Sequence, residues 1–223
     1  MRTWPRITAL ILGTTLFISN CKDAYSPQNN KIWLQKQTTE TPQDYLKPSY
    51  ANLLVEIDYD TTTPPDTETL NAYKEEILKR IQPKNITFRT DKIMPFGPET
   101  LTINDLEQQE KITRDEYTGA GTITLHVYWL TKNIGTTYAG FQYTPSSIAL
   151  FNMPQENDYT LSILLHETGH IMGLVNKGTQ QQTEHSADMI HCATPNCVME
   201  KVVNRGKTYC QNCIDDIIAE GGK

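Results

Sequence analysis

From Asp158 to Thr168 the chain has neither Pro nor Gly, and Leu161, Ile163, Leu164 and Leu165 run straight into His166-Glu167-Thr168-Gly169-His170. An apolar run of this kind reads as a helix. Asp158 is placed to cap its start, and Gly173 to end it in a left-handed turn. His166 and His170 are four residues apart and so share one helix face, one turn above the other. At that spacing two imidazoles reach one Zn²⁺ at ~2 Å each. Glu167 sits too far round the helix to bind easily, but well placed to take a proton from a water on the metal. An amphipathic helix that merely carries two histidines has the same pattern. The Gly three residues on, and the His, Cys and Met that follow, favour the metal site.

The rest of the chain has to build a support for this helix. Tyr50 to Tyr59 reads as a strand with a buried face. Asp66 or Thr67 caps a helix carrying Leu70, Tyr73, Ile77, Leu78 and Ile81 at helical spacing, and Pro83 stops it. Asn85 to Arg89 is a short β-branched strand, residues 91–100 a loop, and Thr102 to Arg114 a polar helix with Leu106 and Ile112 inward. Thr122 to Leu130, Tyr138 to Tyr143 and Ser147 to Asn152 complete the strands. The order β-α-β-α-β-β-β-α predicts an α/β (α+β) domain, a mixed twisted sheet with two backing helices. His126 lies in mid-strand and reads as a structural histidine that needs only a hydrogen-bond partner.

The domain is expected over residues 49–223, its N-terminal part (49–173) ending in the zinc helix and its C-terminal part at 174–223. Residues 22–48 are rich in Gln, Asn, Thr, Lys and Pro, so 21–48 reads as a tether. Trp33 and Leu34 leave open a short docked arm. Residues 1–20 have Arg2 and Arg6 ahead of an apolar run of about a dozen residues, right for a secretory signal and short for a spanning helix. The run ends in Phe17-Ile18-Ser19-Asn20-Cys21, which resembles a bacterial lipoprotein signal. That resemblance implies lipidation of Cys21 and export to the outer membrane or cell surface, with the periplasm as the fallback. Lys22-Asp23 resembles the charged tag of surface lipoproteins. A plain secretory signal with a free Cys21 is the simpler alternative. The formal charge is −6 with no basic stripe, so nucleic acid is excluded as a partner. Membrane contact is expected through the lipid alone, and the domain as a monomer.

The motif with its Gly173 resembles that of metzincin metallopeptidases, which continue with a third His and a Met in a tight turn. Their third His would fall on Asn176, so the match fails there. Downstream, His191-Cys192, Cys197, Met199 and then Tyr209-Cys210-Gln-Asn-Cys213 resemble the archaemetzincin pattern. The resemblance implies that Met199 is the turn methionine and that residues 177–190 are an inserted loop. It also implies a third ligand beyond that loop. His191 is favoured by its register with Met199 and His185 is the rival, with Asn176 and Asp188 behind them. Asp188 is also a candidate acceptor for a ligand imidazole. Lys201 stands where many metzincins place an oxyanion-stabilising Tyr, and Tyr209 is a possible substitute.

Cys192, Cys197, Cys210 and Cys213 are spaced C-x4-C-x12-C-x2-C. Two close pairs of this kind hold a structural Zn²⁺, or they form two disulfides, the outcome favoured in an oxidising compartment. Either way they staple the Met199 segment to a C-terminal helix, Ile214 to Ala219. The expected function is zinc-dependent hydrolysis of protein or peptide substrates, with the substrate extended along strand 138–143. A retired zincin that grips peptides, or a zinc amidase of cell-wall peptides, would use the same residues.

Overall fold

The computed structural model describes residues 40–61, 64–97, 100–132, 138–153, 157–202 and 206–223. The expected signal, Cys21 and most of the tether, with Trp33 and Leu34, lie outside them. Where the tether expectation meets the described residues it needs correcting. Pro42–Leu46 form a helix (α1) whose Tyr45 and Leu46 are buried. The Tyr45 hydroxyl donates to the Thr124 carbonyl at 2.8 Å. Two large apolar side chains in five residues suffice to dock this turn.

The elements that follow are β1 (Asn52–Tyr59), α2 (Thr67–Leu78), β2 (Asn85–Lys92), α3 (Ile103–Thr113) and β3 (Thr122–Leu130). Then come β4 (Gly140–Thr144), β5 (Ser147–Phe151), α4 (Asn157–Ile171) and α5 (Gln211–Ala219). The mixed α/β class and the element order are as expected. The strands form one five-stranded sheet in the order β2-β1-β3-β5-β4. All neighbours are parallel except β4 with β5. β2 runs three residues beyond its expected end because all of it pairs with β1.

The sheet has two differently filled faces, as the period-2 geometry of strands requires. Leu53, Val55 and Ile57 of β1, with Ile123, Leu125, Val127 and Trp129 of β3, share a core with α2 and α4. Burying a side chain of this size stabilises by ~1.5–3 kcal/mol. Asp66 caps α2 by accepting from the Thr69 N–H at 2.8 Å, and Tyr73 and Ile77 are fully buried. On the other face Tyr128, Leu130 and Phe151 pack with Leu106 of α3.

Ile112 was expected inward and is 64% exposed. The inward position belongs to Glu110, which pairs with Arg114 at 2.7 Å and accepts from Ser147 Oγ at 2.6 Å. Leu106, Glu110 and Arg114 share a face at four-residue steps, and Ile112 falls on the opposite one. His126, buried on this side, has the partners its structural reading requires, Asp58 and Tyr143, each at 3.2 Å.

Helix α4 lies on the main core, buried from Thr160 to Ile171. Leu161, Ile163, Leu164 and Leu165 are all buried, so its lead-in shows little amphipathic pattern. Asp158 lies within its first turn rather than at the cap, with Lys207 Nζ 2.6 Å from its carboxylate. Gly173 closes the end at φ +79°, and a Cβ there would meet Pro42 of α1 at 2.7 Å. The arm that docks α1 therefore presses on the turn that ends the histidine helix.

Candidate metal centres

His166 and His170 project from one face of α4, their Nε2 atoms 3.1 Å apart. His166 Nδ1–H donates to the Val198 carbonyl at 2.8 Å, which leaves its Nε2 as a lone pair. His170 Nδ1 is buried and has no hydrogen-bond partner among the described residues. If His170 Nε2 carries the proton, a buried bare nitrogen remains. If Nδ1 carries it, two lone pairs face each other. A cation between the two Nε2 atoms removes the clash of lone pairs, with the His170 proton on Nδ1. Burial lowers the pKa of His166 to about 4 and of His170 to about 2, so both rings are neutral at pH 7, the form that binds metal.

His191 completes the group, with ring centroids 5.5 Å from His166 and 5.7 Å from His170. One ligating atom from each of the three histidines lies within 4.8 Å of the others. Asp188 accepts from His191 Nδ1 at 3.0 Å and from the His191 backbone N–H at 2.9 Å. A carboxylate behind an imidazole fixes its tautomer and turns its Nε2 toward the other two rings.

His185 is not in this group. Its Nε2 is 2.8 Å from Asp216 and its Nδ1 3.2 Å from Cys192 Sγ. The two histidines part because 185–193 is a tight hairpin, with Ser186 bridged to Cys192 and Ala193 N–H on the His185 carbonyl. Asn176 also stands apart, bonded to Gln181 and to the Met189 carbonyl.

Glu167 is buried, and its Oε2 has no hydrogen-bond partner among the described residues. Burial pushes its acid up to about 8, against lowering by Lys177 and by the Gln142 backbone N–H. It lies under β4, the outer strand, where a Cβ on Gly140 would meet Glu167 Cγ at 3.1 Å. An open cleft of about 910 Å³ spans Gly140 to Gln142, Glu167, the three histidines, Lys177 and Lys201.

Met199 is fully buried beneath α4. A Cβ at Gly169 would run into its Sδ, and would meet its Cε and Tyr209 Cε1 at 3.1 Å each. Tyr209 is thus a floor residue. Its hydroxyl donates to the Leu165 carbonyl at 2.7 Å and so is turned away from the cleft, contrary to its suggested part as a substitute oxyanion group. Lys201 is tied to Asp188 at 3.4 Å.

Gly169, Gly140 and Lys177 escaped the sequence reading. For Gly169 a signal existed: glycine inside a helix costs roughly 0.5–1 kcal/mol against Ala, so its presence there marks a close approach. Gly169→Ala is expected to destabilise by ~1–3 kcal/mol through overpacking, despite alanine's better helix propensity. Thermal melting checks this, and an unchanged or raised Tm would contradict the packing of Met199 on α4.

The four C-terminal cysteines are free thiols. Cys192 Sγ is 3.7 Å from Cys210 Sγ, and Cys197 Sγ is 3.7 Å from Cys213 Sγ. Both distances exceed the ~2.05 Å of a disulfide bond. All four sulfurs lie within 4.8 Å of one another. A tetrahedral zinc at ~2.3 Å from each would space them about 3.8 Å apart, so the residues fit that ion. They join the Met199 segment to the start of α5.

A mixed five-stranded sheet over a buried histidine helix, with a cluster of cysteines beyond it, gives a fold that resembles archaemetzincin. Its crystal structure from Methanopyrus kandleri superposes with a TM-score of 0.53 at 13% identity, over 77% of this chain and 96% of that one. At that identity the likeness concerns the fold alone. A chain from a chaperone–substrate complex aligns at TM-score 0.42 and 10% identity, over 78% of this chain and 34% of that one, and carries no argument. No protein-family model and no curated protein matches the sequence.

Proposed function

We propose that the chain is a zinc-dependent endopeptidase in which His166, His170 and His191 hold the catalytic ion. The observation that carries this is the convergence of three imidazoles beside a buried, half-partnered carboxylate at the floor of an open cleft. A zinc ion held there supplies Lewis acidity, bringing the pKa of a water toward ~7 and polarising a carbonyl oxygen. Glu167 takes the proton of the attacking water and returns it to the leaving amine. Its carboxylate form is favoured once positive charge sits among the histidines. The Gln142 N–H holds one side of its carboxyl group, and Oε2 is left for the proton. β4, at the end of the sheet, offers an edge along which an extended peptide can lie. Met199, the proposed turn methionine, shapes the floor without binding metal.

Cys192, Cys197, Cys210 and Cys213 are proposed to hold a second, structural zinc. The protein is proposed to be exported and anchored through a lipid on Cys21, a reading supported by the leader sequence alone. Cys21→Ser is then expected to move the protein from the membrane to the soluble fraction, and unchanged membrane recovery would sink the anchor. The function is tested by incubating the purified chain with casein and with peptidoglycan peptides, with and without chelator. Casein cleavage that stops with chelator and returns with zinc is expected. Cleavage that survives full metal removal, or none from zinc-loaded protein, would overturn it.

A further inference from the structure

The cleft holds two lysines in different circumstances. Lys201 is 71% exposed and rests on Asp188. Lys177 is half-buried in the cleft lining with Glu167, His166 and His170. Its ammonium has no hydrogen bond or ion pair among the described residues. The carboxylates around it are already engaged: Asp188 holds His191, and Glu167 is needed for proton transfer. Burial pulls the Lys177 ammonium below the usual lysine range, with Glu167 pulling it back. A half-desolvated cation without an anion of its own is costly, and a ligand that brings a negative charge offsets the cost.

The backbone that delivers Lys177 is itself strained. Gly173, Val175 and Asn176 have φ of +79°, +53° and +66°. Asn tolerates this region, but Val175 is β-branched, and it is fully buried. The tight turn brings the Lys177 N–H onto the Gly173 carbonyl at 3.1 Å and sends the side chain back toward the histidines. Strain of this kind at the edge of a site is a pointer to function.

We infer that Lys177 selects ligands that present a carboxylate within a residue or two of the bond held over the histidines. The inference rests on the peptidase reading for its substrate class. The carboxylate can come from an Asp or Glu side chain or from a free C-terminus, and these sources are separable. The probes are short peptide hydroxamates, which anchor on zinc and are not cleaved, added to the zinc-loaded full chain at pH 7. One pair differs only in Glu against Gln beside the anchor, the other only in a free against an amidated C-terminus.

At least one pair is expected to favour the acid by about 10-fold or more, a single partly screened charge pair being worth that much. Lys177→Met is expected to reduce the preference to under about 2-fold, and Lys177→Arg to keep it. The discriminating pair names the source of the carboxylate. Equal affinities within both pairs, or a preference that survives Lys177→Met, overturn the inference. Binding of hydroxamates does not require hydrolysis. Discrimination without any peptide cleavage would therefore sink the peptidase reading alone, and cleavage without discrimination would sink this one alone.

Discussion

Glu167→Gln is expected to lower peptide hydrolysis by about 10²–10⁴-fold, the range for loss of a positioned acid–base group, with bound zinc unchanged. The amide keeps the shape of the acid and can still accept from the Gln142 N–H, so the metal ligands have no reason to move. It cannot take a proton from water. Stability is not expected to suffer, because the buried Oε2 makes no hydrogen bond among the described residues that the variant would lose. A neutral group at that position also avoids the cost of burying a charge. Three readouts separate a chemical role from a structural one: rate, zinc content and Tm. A variant with lost rate, full zinc and unchanged Tm fits the account. Full activity on a substrate that the parent cleaves would refute the mechanism.

The second large effect separates the two histidines that the sequence left in contention. His191→Ala is expected to strip the ion from the cleft and abolish hydrolysis, leaving one zinc equivalent in the cysteine cluster. Losing an outer partner of a metal ligand costs about 10–100-fold in affinity, and losing a ligand costs more. His185→Ala is expected to spare the cleft ion and to act on stability instead. Its imidazole meets the fully buried Asp216 at 2.8 Å and Cys192 Sγ at 3.2 Å. Removing one partner of a buried pair costs ~3–5 kcal/mol, and here the loss falls where α5 joins the cysteine segment. Zinc equivalents by elemental analysis, with Tm alongside, decide the matter. Loss of cleft zinc in His185→Ala with retention in His191→Ala would reverse the assignment.

Local patterns carried most of the fold. The helix period of Leu70, Tyr73 and Ile77, the β-branched runs and the uninterrupted stretch before His166 each imposed one structure, and the mixed α/β class follows from their order. The sequence also placed His166 and His170 on one face, and their Nε2 atoms meet at 3.1 Å. What it could not resolve depends on how the chain returns to itself. His185 and His191 are six residues apart in a loop, and only the 185–193 hairpin sends one to Asp216 and the other to the histidine cluster. Cysteine spacing left zinc and disulfides open, because the choice turns on whether the two pairs converge on one point. Tyr209 and Ile112 were misread for different reasons: the Tyr209 hydroxyl is taken by the Leu165 carbonyl, distant in sequence, whereas Ile112 lies on the helix face opposite Leu106 and Glu110.

Anomalous X-ray scattering at the zinc edge, from crystals of the purified chain, tests the central claim most directly. The account predicts one peak within bonding distance of His166, His170 and His191, with Glu167 beside it, and a second among the four cysteine sulfurs. A cleft without a peak in zinc-replete protein, or an ion there bound to any residue in place of His191, would contradict it.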